Sequence, residues 1–160
     1  MKEPIIIKPI GIINTPYKEA KGMPIQGKFK RGATGTARIF PEYKAGLKDI
    51  EGFSHVILIY YFNRSKEEKL TGKPFLEDTE HGIFAIRSPL RPNRIGLSIV
   101  KVKDVKEDRI TFSEVDILDN TPLLDIKPYV SHFDSRSEVR NGWLDKYFKD
   151  GTIPKRSRIG

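Results

Sequence analysis

The chain has 160 residues, 38% of them hydrophobic, and its 29 lysines and arginines outnumber 21 aspartates and glutamates for a formal charge of +8. That length supports one domain that buries roughly two thirds of its unfolded surface, and the positive excess favours polyanionic partners. With no cysteine in the chain, disulfides, iron–sulfur clusters, thiolate zinc sites and cysteine nucleophiles are excluded. The longest apolar run, Val56 to Phe62, falls far short of the ~20 residues of a membrane span. No apolar segment with a cleavage site follows Met1-Lys2-Glu3-Pro4, so secretion is not expected and a soluble, cytoplasmic protein is.

The chain begins in strands. Ile5 to Ile7 and Ile10 to Ile13 are β-branched runs separated by Pro9 and Gly11, which predicts one bent strand or a strand pair. Gly35 to Phe40 alternates, with Ala37 and Ile39 on one face. Pro41 suits a first helical position, and a short helical turn is expected to Leu47. Val56 to Phe62 is apolar on both faces and belongs in the centre of a sheet. Arg64 to His81 is polar and predicts a long loop, a length that in compact domains often carries function.

Further strands are expected at Ile83–Arg87, Leu97–Asp104 and Arg109–Ile117, the last with a bulge where Val115 falls out of alternation. A helix is predicted from Ser135, which stands at capping-box spacing from Glu138 and precedes Val139, Trp143, Leu144, Tyr147 and Phe148. Lys146 and Lys149 would lie in its last turn, and Gly151 would stop it. The fold expected is mostly β: a small antiparallel barrel with one or two short helices and a C-terminal helix. Residues 1–135 would form the barrel, and residues 136–160 a helix and basic tail of the same domain. No strand leads through a Gly-x-Gly-x-x-Gly turn into a helix, so a doubly wound nucleotide-binding sheet has no support.

Two stretches read as neither plain strand nor plain turn. Arg87-Ser88-Pro89-Leu90-Arg91-Pro92-Asn93-Arg94 is a proline-stiffened loop bearing three arginines, whose guanidinium forks suit carboxylate or phosphate. Leu118-Asp119-Asn120-Thr121 is a bend, since Asp and Asn tolerate left-handed backbone and bond nearby amides. Beyond it Asp125 and Lys127 share one side of an extended segment, for which a surface salt bridge is the plain account. His55, His81 and His132 lack metal-ligand spacing, and no metal site is expected.

These stretches, with Phe53-Ser54-His55 before a hydrophobic strand and Ile10-Gly-Ile-Ile-Asn-Thr-Pro-Tyr17 near the start, resemble the TrmO (TsaA/YaeB-like) family of tRNA methyltransferases. The resemblance runs in order from about Ile10 to Asp134. It implies an S-adenosylmethionine-dependent homodimer on a β-barrel, methylating N6 of threonylcarbamoyladenosine beside the anticodon. Carried over residue by residue, it implies cofactor contacts at Gln26, Gly27, Lys28, Asn63, Arg64, Arg87, Leu97, Leu118, Asp119, Asn120 and Thr121. Relatives often have His and Gln where Asn63 and Arg64 stand, and Gly in place of Asn120.

For the displaced N6 proton, Asp119 and Asp125 are candidate acceptors. Arg91, Asn93, Arg94, Lys127 and Tyr129 are candidate tRNA contacts, joined by Lys28, Lys30, Arg31 and the basic tail residues Lys155, Arg156 and Arg158. A noncatalytic RNA-binding barrel, or a methyltransferase for another small acylated substrate, would also suit the sequence.

Overall fold

In a computed structural model, which describes residues 3–30 and 32–148, strand alternation closes into a barrel. Thr34–Ile39 (β2) buries Gly35, Ala37 and Ile39 while its other positions face outward. His55–Tyr61 (β3) does the same with Val56, Leu58 and Tyr60. With Gly11–Asn14 (β1), Ile95–Lys106 (β6), Arg109–Ser113 (β7) and Thr121–Pro128 (β8), they form a closed barrel in the order β1-β2-β7-β6-β3-β8. All of its pairings are antiparallel. Closure leaves no open edge for unwanted strand pairing. Inside, Ile13, Ala37, Val56, Leu58, Val100, Ile110, Phe112 and Leu123 are fully buried, and Val115 joins them from the segment after β7.

Antiparallel pairing gathers alternate strand ends at one rim. Asn14 at the end of β1 lies opposite Thr36, Thr34 at the start of β2 opposite Ser113 at the end of β7, and Tyr61 at the end of β3 opposite Ile95 at the start of β6. Thr121 opens β8 beside Ile13. The β1–β2, β3–β6 and β7–β8 connections therefore emerge together. The opposite rim carries the β2–β3 connection, with 3₁₀ turns at Pro41–Leu47 and Ile50–Gly52, and the tight β6–β7 turn at Glu107.

Several expected elements take other forms. Ile5–Ile7 lie outside any strand and are exposed, because β1 begins only at Gly11. Ile83–Arg87 is a 3₁₀ turn at Ile83–Ala85 followed by extended chain. The loop after β3 contains a two-residue ladder, Thr71–Gly72 (β4) with His81–Gly82 (β5). No bulge occurs at Val115: β7 stops at Ser113, Glu114 takes a left-handed φ of 63° and the chain turns inward. The irregularity lies instead between Val102 and Asp104 of β6.

The long C-terminal helix is absent among the described residues. Ser131–Asp134 (α1) and Asp145–Phe148 (α2) are single turns, the latter preceded by a 3₁₀ turn at Gly142–Leu144. Glu138, expected to close the capping box, has φ 57°, a conformation no right-handed helix contains. Lys149, Gly151 and the tail lysine and arginines Lys155, Arg156 and Arg158 lie outside the described residues, as does Arg31.

Candidate functional site

At the shared rim, β1–β2 loop and barrel wall meet through a carboxylate. The Gly27 amide donates to Asp116 Oδ2 at 3.1 Å, and Ser98 Oγ donates to Asp116 Oδ1 at 2.6 Å. Ser98 in turn meets Tyr60 Oη at 3.0 Å. Tyr60 and Ser98 point inward at the ends of β3 and β6, where packing leaves them 5% and 4% exposed. A side chain on Gly96, which pairs with Tyr60, would place Cβ 2.3 Å from the tyrosine ring. Gly27 approaches more closely still: a Cβ there would lie 1.6 Å from the Glu114 carbonyl oxygen.

Burial raises the Asp116 pKa above the usual carboxylate value, although Ser98, the Gly27 amide and the charge of Arg87 oppose the shift. Burial likewise pushes the Tyr60 phenol upward, helped by the nearby Asp116 charge. Tyr17, whose pKa is raised by burial and by Asp116, has a buried hydroxyl with no hydrogen-bond partner among the described residues, as does Arg94 Nε. From the β3–β6 side, Arg87 donates to Gln26 Oε1 at 3.1 Å. Its guanidinium forms no ion pair among the described residues.

The bend before β8 is a second node of the same rim. Asp119 is 4% exposed and accepts hydrogen bonds from the Thr15 amide at 3.0 Å and Asn14 Nδ2 at 3.2 Å. Those two meet Oδ1; Asn120 Nδ2 donates to Oδ2 at 3.1 Å, and Lys18 pairs with that same Oδ2. Lys18 first, then the Thr15 amide and Asn14, outweigh burial and hold the Asp119 pKa down at about 2. A carboxylate so stabilised is a weak proton acceptor; its work here is to hold the bend. Asn120 takes φ 59°, the left-handed geometry expected of it. Arg64 Nη2 donates to the Asp119 carbonyl at 2.8 Å, and Asn63 Nδ2 reaches the Asn120 carbonyl at 3.4 Å. The Phe62 amide donates to the Arg94 carbonyl at 2.8 Å, tying the arginine loop to the same corner. A groove of about 360 Å³ opens beside the bend, lined by Asn14, Thr15, Lys18, Thr34, Thr36 and Asp119. A larger depression of about 500 Å³, between Lys44, Leu47 and Val105, lies at the opposite rim, away from this chemistry.

The fold thus brings Gln26, Gly27, Lys28, Asn63, Arg64, Arg87 and Leu118–Thr121 to one rim. Leu97 lies near it on β6 but faces outward, 48% exposed, between Ile95 and Ile99. Arg91, Asn93 and Arg94 belong to the arginine loop, where Asn93 and Arg94 both have positive φ and Arg91 donates to the Ile86 carbonyl at 3.1 Å. Lys28 and Lys30 are exposed on the β1–β2 loop. Three candidates fall elsewhere. Asp125 and Lys127 pair with each other at 2.8 Å, opposite Ile59 and Ile57 on the outside of the barrel. Tyr129 lies past the far end of β8, its hydroxyl 3.1 Å from Ser135 Oγ and its ring edge-on to His55. Tyr60, Ser98, Asp116 and Tyr17 escaped the sequence reading. Their signal was present for the first two: polar side chains at inward positions of otherwise apolar strands.

The model of the tRNA-methyltransferase O N-terminal domain family matches residues 12–135. A Pyrococcus abyssi protein described as a probable S-adenosyl-L-methionine-binding protein is 52% identical over 142 residues, which are 89% of this chain and 77% of the relative. The tRNA (adenine(37)-N6)-methyltransferase of Homo sapiens is 32% identical over 88% of this chain and 34% of its own length. The crystal structure of TrmO from Pseudomonas aeruginosa superposes with a TM-score of 0.75 at 33% identity, over 88% of this chain and 63% of that one. This chain therefore spans less than two thirds of the solved relative.

Proposed function

The chain belongs to the family of tRNA-methyltransferase O N-terminal domains, and from that premise we propose an S-adenosylmethionine-dependent enzyme that methylates N6 of threonylcarbamoyladenosine beside the anticodon of tRNA. The observation that carries this reading is the convergence of the Arg87–Gln26–Gly27–Asp116 chain and the Asp119–Asn120 bend on one rim.

The residues at that rim fit the donor. Arg87 offers a guanidinium with no anionic partner among the described residues, suited to the methionyl carboxylate. The buried Tyr17 hydroxyl, near the Asp116 charge, lacks among the described residues a partner that a ligand atom would supply. The bend at Leu118–Thr121 is held rigid by Arg64, Asn14 and Thr15, so its surface is preorganised to receive a nucleoside. When bound, the donor supplies a methyl on a sulfonium sulfur that departs with its bonding electrons. The protein's part is to align that methyl with the acylated nitrogen and keep water out of the line of attack. The N6 proton, which neither the low-pKa Asp119 nor the outward Asp125 is placed to take, is released to solvent as the nitrogen is methylated.

Lys28, Lys30, Arg91 and Arg94 flank the rim as phosphate contacts, a role that makes tRNA affinity fall steeply with salt. A homodimer suits the outer wall, where Ile95, Leu97 and Ile99 are 39%, 48% and 44% exposed in a row. A cytoplasmic location goes with a tRNA substrate.

Incubating the protein with donor and tRNA bearing threonylcarbamoyladenosine, followed by nucleoside mass spectrometry, tests the reading. Gain of one methyl on that nucleoside is expected. Donor binding with no change in tRNA would assign another acylated substrate, and tRNA binding without donor binding would leave a noncatalytic RNA-binding barrel.

A further inference from the structure

The C-terminal segment reaches back to the rim through a clasp that the proposed chemistry does not use. Glu77, on the loop between β4 and β5, is 8% exposed although it carries a carboxylate. It is met by His81 Nε2 at 2.5 Å, by Tyr147 Oη at 2.5 Å and by Lys146. Trp143 stacks on the His81 ring with centroids 4.8 Å apart and an interplanar angle of 22°. Its indole N–H donates to the Ala85 carbonyl at 2.8 Å. Ala85 is two residues from Arg87, and between them Ile86 is buried and its carbonyl receives Arg91.

Glu77, His81 and Ala85 all belong to the β3–β6 connection; Trp143, Lys146 and Tyr147 all belong to the segment after the barrel. The contacts therefore cross-link the two, and they do so on the stretch of chain that aims Arg87. Its other supports come almost wholly from the β3–β6 connection itself: a two-residue ladder and a single 3₁₀ turn before Arg87, the Ile83 amide on the Leu70 carbonyl, and the buried Ile83 and Ile86. A guanidinium on such a stretch loses more freedom on binding than one whose backbone is fixed beforehand.

We propose that the segment Gly142–Phe148 is a strap that sets the position of Arg87, with Trp143 and Glu77 as positioning residues for donor binding. The proposal rests on the reading that Arg87 contacts the donor. The low pKa of Glu77, about 2 and due first to Lys146, then to Tyr147 and His81, keeps the clasp's carboxylate charged across the neutral range.

Trp143 is the only tryptophan in the chain, so its fluorescence reports whether the strap is docked while leaving the barrel unprobed. In the full-length protein, Glu77→Ala is expected to shift Trp143 emission to the red and, by calorimetry with S-adenosylmethionine, to weaken binding about fivefold. Trp143→Ala should weaken binding similarly, Trp143→Phe by less because the stack on His81 survives. In an Arg87→Ala background either change should have no further effect, since residues that act through one another are not additive. A red shift with affinity unchanged, no shift with Glu77→Ala, or a loss that multiplies with that of Arg87→Ala would each overturn the strap. If Arg87→Ala alone leaves donor affinity unchanged, the donor-site reading beneath it falls, a result separable from the others.

Discussion

Arg64 donates to the carbonyl oxygen of Asp119 at 2.8 Å, so that the chain leaving β3 is fastened to the bend that enters β8. The Asp119 side chain completes the fastening on its other side, through Thr15, Asn14 and Lys18. Asp119, itself on the β7–β8 connection, thus joins it to the β1–β2 connection by its side chain and to the β3–β6 connection by its backbone. Replacing it should act on stability before it acts on chemistry. Asp119→Ala is expected to cost about 1.5–3 kcal/mol of unfolding free energy, the range for hydrogen bonds to a charged group, measured by urea denaturation at neutral pH. Because the carboxyl titrates at about 2 when folded and 3.8 as its ordinary value, the advantage over Asp119→Asn is full above the higher value. It should shrink as pH falls below that and vanish near the lower one.

Asp116 should show the opposite sign. Burial raises its pKa, so its charge opposes folding at neutral pH and the penalty is lifted when the folded protein takes up a proton. The stability of the native chain relative to Asp116→Asn, followed by denaturation across pH, is expected to rise on acidification through the folded-state pKa. It should level off below the ordinary value of 3.8. A difference that stays flat or falls would show that the Ser98 and Gly27 contacts outweigh desolvation.

The barrel was legible because its strands alternate: Ala37 and Ile39, or Ile110 and Phe112, can all be buried only on one face of a sheet. The rim was legible where residue chemistry is local, as in Asn120, whose left-handed backbone is a property of that side chain. It was not legible where partners are distant. Asp116 finds Gly27 and Ser98, 89 and 18 residues away, and only barrel closure makes them neighbours. The C-terminal helix misled for a related reason. Trp143 and Tyr147 have helical spacing, but their partners are the polar Glu77, His81 and Ala85 carbonyl rather than an apolar groove, and Val139 stays 58% exposed. With little apolar surface buried, tertiary packing does not sustain a long helix.

Gly27 marks how tightly the β1–β2 loop is seated. Any side chain there must displace the Glu114 carbonyl or lift the loop, since its Cβ would fall 1.6 Å from that oxygen. Gly27→Ala is expected to destabilise by about 1–3 kcal/mol, the range for overpacking a filled site. It should also separate Gln26 from Arg87 and weaken S-adenosylmethionine binding. Thermal melting and calorimetry on the same sample check both effects; a stable variant with native affinity would place the donor away from this loop.

Arg87→Ala removes the guanidinium itself. Loss of a charged hydrogen bond to a carboxylate should weaken donor binding by ~1.5–3 kcal/mol, about tenfold to a hundredfold, with little change in melting temperature because Arg87 is exposed and, among the described residues, its side chain bonds Gln26 alone. Native affinity in calorimetry would remove Arg87 from the site.

The outer wall of β6 carries an exposed apolar row. Ile95, Leu97 and Ile99 alternate with the inward Gly96, Ser98 and Val100, and across from them β3 presents Tyr61, Ile59 and Ile57. Paired apolar side chains on the outside of a closed barrel gain nothing from the core, which lies on the other face of both strands. They gain if a second copy covers them, each side chain fully removed from water contributing about 1.5–3 kcal/mol. Leu97 stands at the centre of this row and near the rim, so a partner on this wall would also stand beside the donor site. Leu97→Glu buries a charge in any such contact and is expected to shift sedimentation from dimer to monomer with the barrel's circular dichroism unchanged. If donor affinity falls with the dimer, the second copy completes the site; if the native protein sediments as a monomer, the row is not a dimer interface and the protein is not a homodimer.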